Sequence, residues 1–257
     1  MRVNVRRRLK NAAFGMRSLR RPSVAYCVSN NLLPSVFVRT PAAILRAALL
    51  LPESKHETQL NQDVFALVAN RFRPGYFVEI GANDGFELSN TLYLEEAFGW
   101  TGLLIEANPK YSASLRRRSA KSVVAAVVAE EGYYEFSDAG LFGGVRSMLR
   151  DAHVGQRRHA QPIEVWGTTL GKLLETHDAP STINFISIDV EGAEVPIVEQ
   201  LCESKDYRFS AGCIEHNSRS DDYRRISMLL EGASYRVVWE GQTEHDLFFI
   251  DVGHNAK

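Results

Sequence analysis

The chain has 257 residues, 45% of them hydrophobic and 24% charged, which is enough to bury a sizeable core in one large domain, or in a domain with an extension. Three scattered cysteines (Cys27, Cys202, Cys213) and no CxxC pair exclude a disulfide scaffold and a cysteine zinc site. No apolar run approaches the roughly 20 residues needed to span a bilayer.

The net charge of −1 conceals an asymmetry. Of the 30 basic residues, ten fall within residues 1–52, where no acid occurs before Glu53; 20 remain for the rest of the chain, against all 31 acids. The two parts therefore carry +10 and −11, which suggests separate roles and divides the chain into a basic extension, 1–55, and a domain, 56–257. After Arg21 the extension runs through Pro22, Asn30, Asn31, Pro34, Arg39 and Pro41, and its best apolar piece, Ala42 to Leu51, is broken by Arg46. That pattern is neither a secretory signal nor a membrane span. It reads as a solvated tail, as a peripheral contact of residues 1–52 with anionic lipid, or as a transit peptide, in a protein otherwise placed in the cytoplasm. Sparse aromatics argue against nucleic acid as a partner.

From residue 59 onward helices and strands alternate. Leu60, Val64, Leu67, Val68 and Phe72 recur at helical spacing until Pro74-Gly75. Tyr76 to Ile80 reads as a buried strand, followed by a glycine turn and a helix from about Leu88 to Phe98. Gly102 to Glu106 is a second strand; Asn108 and Pro109 then open a helix toward Arg118. Ser122 to Ala129 is a third strand, and Ile183 to Asp189 a fourth, with a helix ending near Leu201. Gly212 to Glu215 is a fifth, with a helix from Asp221 to Leu230. Tyr235 to Glu240 and Asp246 to Val252 pair as a hairpin. Residues 137–161, rich in Gly, Arg and His with little periodicity, read as a long lid or binding loop, or as a disordered segment. Five parallel-type strands and a closing hairpin predict an α/β fold, a doubly wound, mostly parallel seven-stranded sheet with ligands at the carboxyl ends of its strands.

The turn after the first strand is Glu79-Ile80-Gly81-Ala82-Asn83-Asp84-Gly85, and Glu106 ends the second strand 21 residues later. Gly81 permits close approach of a ligand, and a carboxylate at 106 suits the two hydroxyls of a ribose, so the pair points to a nucleoside cofactor. The glycine spacing is not GxGxxG, and Glu79 and Asp84 would repel a pyrophosphate but favour a sulfonium and an ammonium. The electrostatics select S-adenosylmethionine over NAD.

Two segments carry a resemblance: FVEIGANDGFELSNTLYLEEAFGWTGLLIEANP, residues 77–109, and ISIDVEGAEVPIVEQL, residues 186–201. With weaker matches at Gln59-x-x-Gln62-Asp63 and His245 to Phe249, the chain resembles the FkbM-type methyltransferases of the class I, S-adenosylmethionine-dependent fold over about residues 59–250. The resemblance implies O-methylation of a hydroxyl on a sugar, glycan or polyketide-type product. It implies that Glu79, Gly81, Ala82, Asn83 and Gly85 line the methionine end of the cofactor and that Glu106 holds the ribose with Asn108 beside it. Ser89, Asn90 and Thr91 would lie near the cofactor carboxylate or the substrate.

A hydroxyl is a weak nucleophile, so a base helps. Asp189, at the carboxyl tip of the fourth strand, and His216, at the end of the fifth, are the candidates, with Glu191 beside them. His216 is favoured as base by its near-neutral titration, and Asp189 also as a residue toward the sulfonium. Two carboxylates and a histidine could instead hold a divalent metal, but Asp189-x-Glu191 is not a metal motif by itself, and metal is not the favoured reading. Arg146, Arg150, Arg157 and Arg158 could meet an acidic group on the substrate or lie in solvent. The competing functions are an NAD-dependent oxidoreductase or epimerase, and a non-catalytic, membrane-associated module on the same fold.

Overall fold

The computed structural model describes residues 61–149, 154–238 and 245–253. The basic extension and the tip of the closing hairpin lie outside the described residues, so the lipid contact expected of residues 1–52 does too. Among the described residues no helix is long and apolar enough to cross a membrane.

Helix α1, Gln62–Ala69, buries Val64, Phe65, Ala66 and Leu67. Strand β1 (Tyr76–Ile80) leads through the glycine turn to α2 (Leu92–Phe98) and β2 (Thr101–Glu106). Asn108 caps a short 3-10 turn by accepting from the Lys110 N–H, and one helical turn, α3 (Ser112–Leu115), precedes β3 (Lys121–Val124). An insertion follows: β4 (Ala126–Val127), β5 (Gly132–Asp138), β6 (Gly144–Val145), α4 (Val154–Arg157) and β7 (Gln161–Thr168). The chain then makes α5 (Leu170–Thr176), β8 (Thr182–Ile183), β9 (Phe185–Ile188), α6 (Glu194–Glu203), β10 (Arg208–Phe209) and β11 (Ala211–Glu215). Helix α7 (Ser220–Gly232) and the antiparallel pair β12 (Tyr235–Val238) and β13 (Asp246–Asp251) complete it.

The main sheet has seven strands in the order β12-β13-β11-β9-β1-β2-β3, parallel except for β13, which runs against both neighbours. This is the expected doubly wound α/β sheet. Alternation along β1 explains its two cores. Phe77 enters one layer with Phe65, Phe185 and Phe248, and Val78 and Ile80 enter the other with Ile186, Ile188 and Leu201. Each such buried side chain contributes about 1.5–3 kcal/mol of transfer free energy. The chain winds from β1 outward to β3, then returns to β9 on the other side of β1. The carboxyl ends of β1 and β9 are therefore the switch point, where two crossovers diverge and leave a crevice.

Three expectations change. The helix placed at Leu88 starts at Leu92, because Leu88 sits at φ 58° and the next three residues are bonded to Glu79. The third strand breaks at Ala125: its first half stays in the main sheet, and its second half joins a separate sheet, β4-β7-β5-β6. The described residues 137–149 and 154–161 are therefore not one aperiodic loop. They carry β6, α4 and turns of that second sheet, whose inner side buries Phe136, Val145 and Val165 against Val128.

Candidate active site at the switch point

A cavity of about 730 Å³ opens over the carboxyl ends of β1, β2, β9 and β11, a size suited to a small organic ligand. Register builds its floor. Glu79 pairs with Ser187 and Ser187 with Cys213, so all three side chains share a face of the sheet. Two residues further along β9 and β11, Asp189 and Glu215 point the same way. The Ser187 hydroxyl accepts from Asn90 Nδ2 at 2.9 Å and from Cys213 Sγ at 3.4 Å, which ties the glycine turn to this row.

The glycine turn is held from within. Gly81, at φ 83°, donates its N–H to Ile105 O at 2.9 Å, and a Cβ there would lie 1.7 Å from Asp189 O. Glu79 is 4% exposed and accepts from Ser89 Oγ (3.0 Å), Asn90 N (2.7 Å) and Thr91 Oγ1 (2.6 Å). Beneath them lies Arg118, 6% exposed, whose guanidinium donates to Gly85 O, Ser89 Oγ and Thr91 Oγ1 and pairs with Glu95 at 2.9 Å. Burial alone would raise the Glu95 carboxyl, but the Arg118 hydrogen bond and charge outweigh it and hold the group below its ordinary value. Sequence reading missed Arg118, since it ends a run, Arg116-Arg117-Arg118, that looks like a solvated surface.

Glu106 closes the other side. One carboxylate oxygen accepts from Asn83 N at 2.8 Å and the other from Asn108 N at 2.7 Å. Burial pushes Glu106 up, and the two N–H groups and Lys110 restrain the rise. Around it the wall is apolar: Ile105, Ala107, Tyr111, Ala126 and Phe142. Lys110 stands over the Tyr111 ring at 4.8 Å and pairs with Asp138, which joins this wall to the second sheet.

That sheet supplies the roof. Gly140 to Val145 line the cavity opposite the floor. Arg157 fastens them, donating Nε to Phe142 O at 2.7 Å and pairing with Glu191 at 2.7 Å, with both side chains 8% exposed. A contact with an acidic substrate group does not fit Arg157, whose charge is committed to Glu191. Arg146 pairs with Glu135 in solvent, and Arg150 lies outside the described residues.

Of the residues expected to bind a cofactor, Glu79, Gly81, Ala82, Asn83, Asn90, Glu106 and Asp189 line the cavity. Asp84, Gly85, Thr91 and Asn108 do not. Asp84 accepts from the N–H groups of Phe86 and Glu87 (both 2.8 Å), Thr91 serves Glu79, and Asn108 caps the 3-10 turn and donates to Asp138 at 2.9 Å. Of the expected catalytic residues, Asp189 and Glu191 are at the cavity and His216 is not. Alternation along β11 explains the correction: Cys213 and Glu215 face the cleft, so His216 turns away and lays its ring against Tyr223, 5.2 Å between centroids. Burial and the nearby His245 and Arg219 lower its titration, which keeps the imidazole neutral. Glu215 stands at the cleft beside Asp189.

The cavity lining contains seven acidic residues and, among the described residues, no lysine or arginine. Asp189, Glu191 and Glu215 bring carboxylate oxygens within 4.8 Å of one another. That spacing would admit a divalent cation, but an acidic cluster is not thereby a metal centre. Glu191 is already paired with Arg157. Burial, and then the facing carboxylate of Glu215, push Asp189 well up. Burial likewise raises Glu215, to about 7.

Residues 79–237 match the family described as the methyltransferase FkbM domain. No curated protein matches the chain. Among solved structures, the chain is similar to methyltransferase FkbM from Methylobacillus flagellatus, with 16% identity and a TM-score of 0.44, over 81% of this chain and 52% of that one. It is similar to a precorrin-6y C5,15-methyltransferase from Geobacter metallireducens, with 12% identity, TM-score 0.41 and coverage of 78% and 91%. An O-methyltransferase from Bacillus cereus in complex with SAH gives 13% identity, TM-score 0.40 and coverage of 82% and 88%.

Proposed function

The chain belongs to the FkbM methyltransferase family, and from that premise we propose that it moves a methyl group from S-adenosylmethionine to a hydroxyl on a sugar, glycan or related natural product. The observation that carries the reading is the charge pattern of the cleft: a buried carboxylate beside an apolar wall at one end, an acidic row at the other, and no cation along the described lining. A pyrophosphate cofactor such as NAD would meet seven acidic residues and no lysine or arginine along the described lining, which would cost free energy in a partly dehydrated site.

The residues fit the donor part by part. Each oxygen of Glu106 accepts one backbone N–H and keeps lone pairs for a ribose diol. Ile105, Ala107 and Tyr111 offer the apolar surface an adenine ring needs. The side-chain oxygens of Asn83 and Asn90 are buried without a protein partner and would accept from the ligand's ammonium. When bound, S-adenosylmethionine supplies an electrophilic methyl on a sulfonium. Asp189 and Glu215 hold the position from which a carboxylate takes the acceptor's proton.

Calorimetry tests the cofactor: S-adenosylmethionine and S-adenosylhomocysteine bind and NAD does not, and binding of NAD alone would overturn the reading. Incubation of a carbohydrate extract with methyl-tritiated donor tests the acceptor. The label enters an alkali-stable ether; label lost in mild alkali would mean an ester and a carboxylate acceptor instead.

The catalytic assignment has its own check. Asp189→Asn lowers initial rates by about 100-fold or more, the usual weight of general base catalysis. His216→Phe, a substitution behind the wall, leaves them within about threefold. Equal losses in the two variants would restore His216 to the mechanism.

A further inference from the structure

We propose that Asp189 and Glu215 share one proton in the ligand-free protein and give it up when a sulfonium enters the cleft, so that the pair distinguishes the charged methyl donor from its uncharged thioether product. This rests on the cofactor reading above and goes beyond it, to how one site binds two ligands that differ by a methyl and a charge.

The geometry comes from the sheet. Ile188 pairs with Ile214 across β9 and β11, so the next residues on each strand, Asp189 and Glu215, stand side by side at the tips. Their carboxylate oxygens lie within 4.8 Å of each other, and both residues line the cavity. Two carboxylates this close in a partly dry wall cannot both ionise without a nearby cation.

The surrounding charges do not supply one. Glu191 and Asp246 face the pair from the β9–α6 turn and from β13, and Glu194 faces Glu215 from the start of α6; all three are acidic. Arg157 is held by Glu191, and Arg219 by Glu194 and Asp222. Asp246 is itself pushed up by burial, with His245 beside it. The pair therefore keeps its proton near neutral pH, in keeping with the rise of Glu215 to about 7.

A cationic ligand at this end changes the balance. It favours the doubly ionised pair, so its binding releases a proton; a neutral thioether in the same place leaves the proton where it was. With the donor bound, both carboxylates are free to accept the proton that the substrate hydroxyl must lose.

The test needs no acceptor. S-adenosylmethionine and S-adenosylhomocysteine are titrated into the full-length protein by calorimetry in phosphate and in Tris, from pH 6 to pH 8. The change of apparent enthalpy with buffer ionisation enthalpy counts the protons released. S-adenosylmethionine releases up to one proton more than its product near pH 6.5. Its Kd falls by as much as about tenfold per pH unit between pH 6 and 7 and levels off above pH 8, relative to a flatter curve for the product. In Glu215→Gln the difference between the two ligands disappears, which separates the pair from the ligands' own amino groups. Equal proton counts for the two ligands in the wild-type protein overturn the inference, whether or not the variant folds. No binding of S-adenosylmethionine at all would instead remove the cofactor reading beneath it.

Discussion

Gly81→Ala costs the protein about 3–5 kcal/mol, and whatever fraction still folds no longer binds S-adenosylmethionine. Two effects add. At φ 83° an alanine is strained by about 1 kcal/mol, since the left-handed region crowds its Cβ. The larger effect is overlap: the new methyl carbon would lie 1.7 Å from Asp189 O and 2.9 Å from Asp189 C. That neighbour is backbone. It can retreat only if the end of β9 moves away from β1, which breaks the bond from Asp189 N to Ile80 O (3.0 Å) or that from Gly81 N to Ile105 O (2.9 Å). Either movement displaces the turn that carries Ala82 and Asn83. A domain of this size loses roughly 2–4 °C of Tm per kcal/mol, so thermal unfolding should fall by about 6–20 °C. A Tm within about 2 °C of wild type together with unchanged affinity would show that the two strand tips separate without cost.

The same turn was legible in the sequence because its chemistry is local. Strand, glycine, asparagine and the acid 21 residues on can be read without knowing which strands are neighbours, and Glu79, Gly81, Asn83 and Glu106 stand at the cavity. What local reading could not decide is which way each side chain turns. Asp84 and Thr91 sit within the motif yet spend their oxygens on the turn itself. His216 and Glu215 are adjacent in sequence and opposite in space. Choosing between them requires that Cys213 be known to face Ser187, which is a property of the β9–β11 register and not of either segment. Titration near neutrality favoured the histidine, but the cleft achieves that range with a carboxylate, by burying it beside another. Arg118 is the clearest loss. Nothing near it in sequence announces burial; its reason is Glu95 on α2, brought to it by the crossover between β1 and β2. The second sheet was not read from the sequence. Ile163, Val165 and Gly167 turn toward Phe136 and Tyr134 while Glu164 and Trp166 face outward, an alternation too short and too polar to stand out against the glycines around it.

Glu106→Ala weakens binding of S-adenosylmethionine and S-adenosylhomocysteine alike, by about 100- to 1000-fold. The two ligands carry the same ribose, so an acid that serves the ribose must serve both equally; this is what separates Glu106 from Glu215, whose replacement alters one ligand relative to the other. The magnitude follows from two hydrogen bonds to a charged acceptor, each contributing about 1.5–3 kcal/mol when buried, less what water recovers in the enlarged cleft. Part of the loss arises within the protein. Asn83 N and Asn108 N, at 2.8 and 2.7 Å from the carboxylate, lose their acceptor together, and the turn on one side and the 3-10 cap on the other lose a common anchor. Stability should therefore fall by about 2–4 kcal/mol even without ligand. Glu106→Gln keeps one acceptor oxygen but turns an NH2 toward one of the two N–H groups, so it should fall between wild type and alanine in both measurements. Calorimetry with each ligand, beside thermal melting of each variant, separates the contributions. If Glu106→Ala binds both ligands within about threefold of wild type, the carboxylate serves the turn alone, and the ribose must be held elsewhere in the cleft.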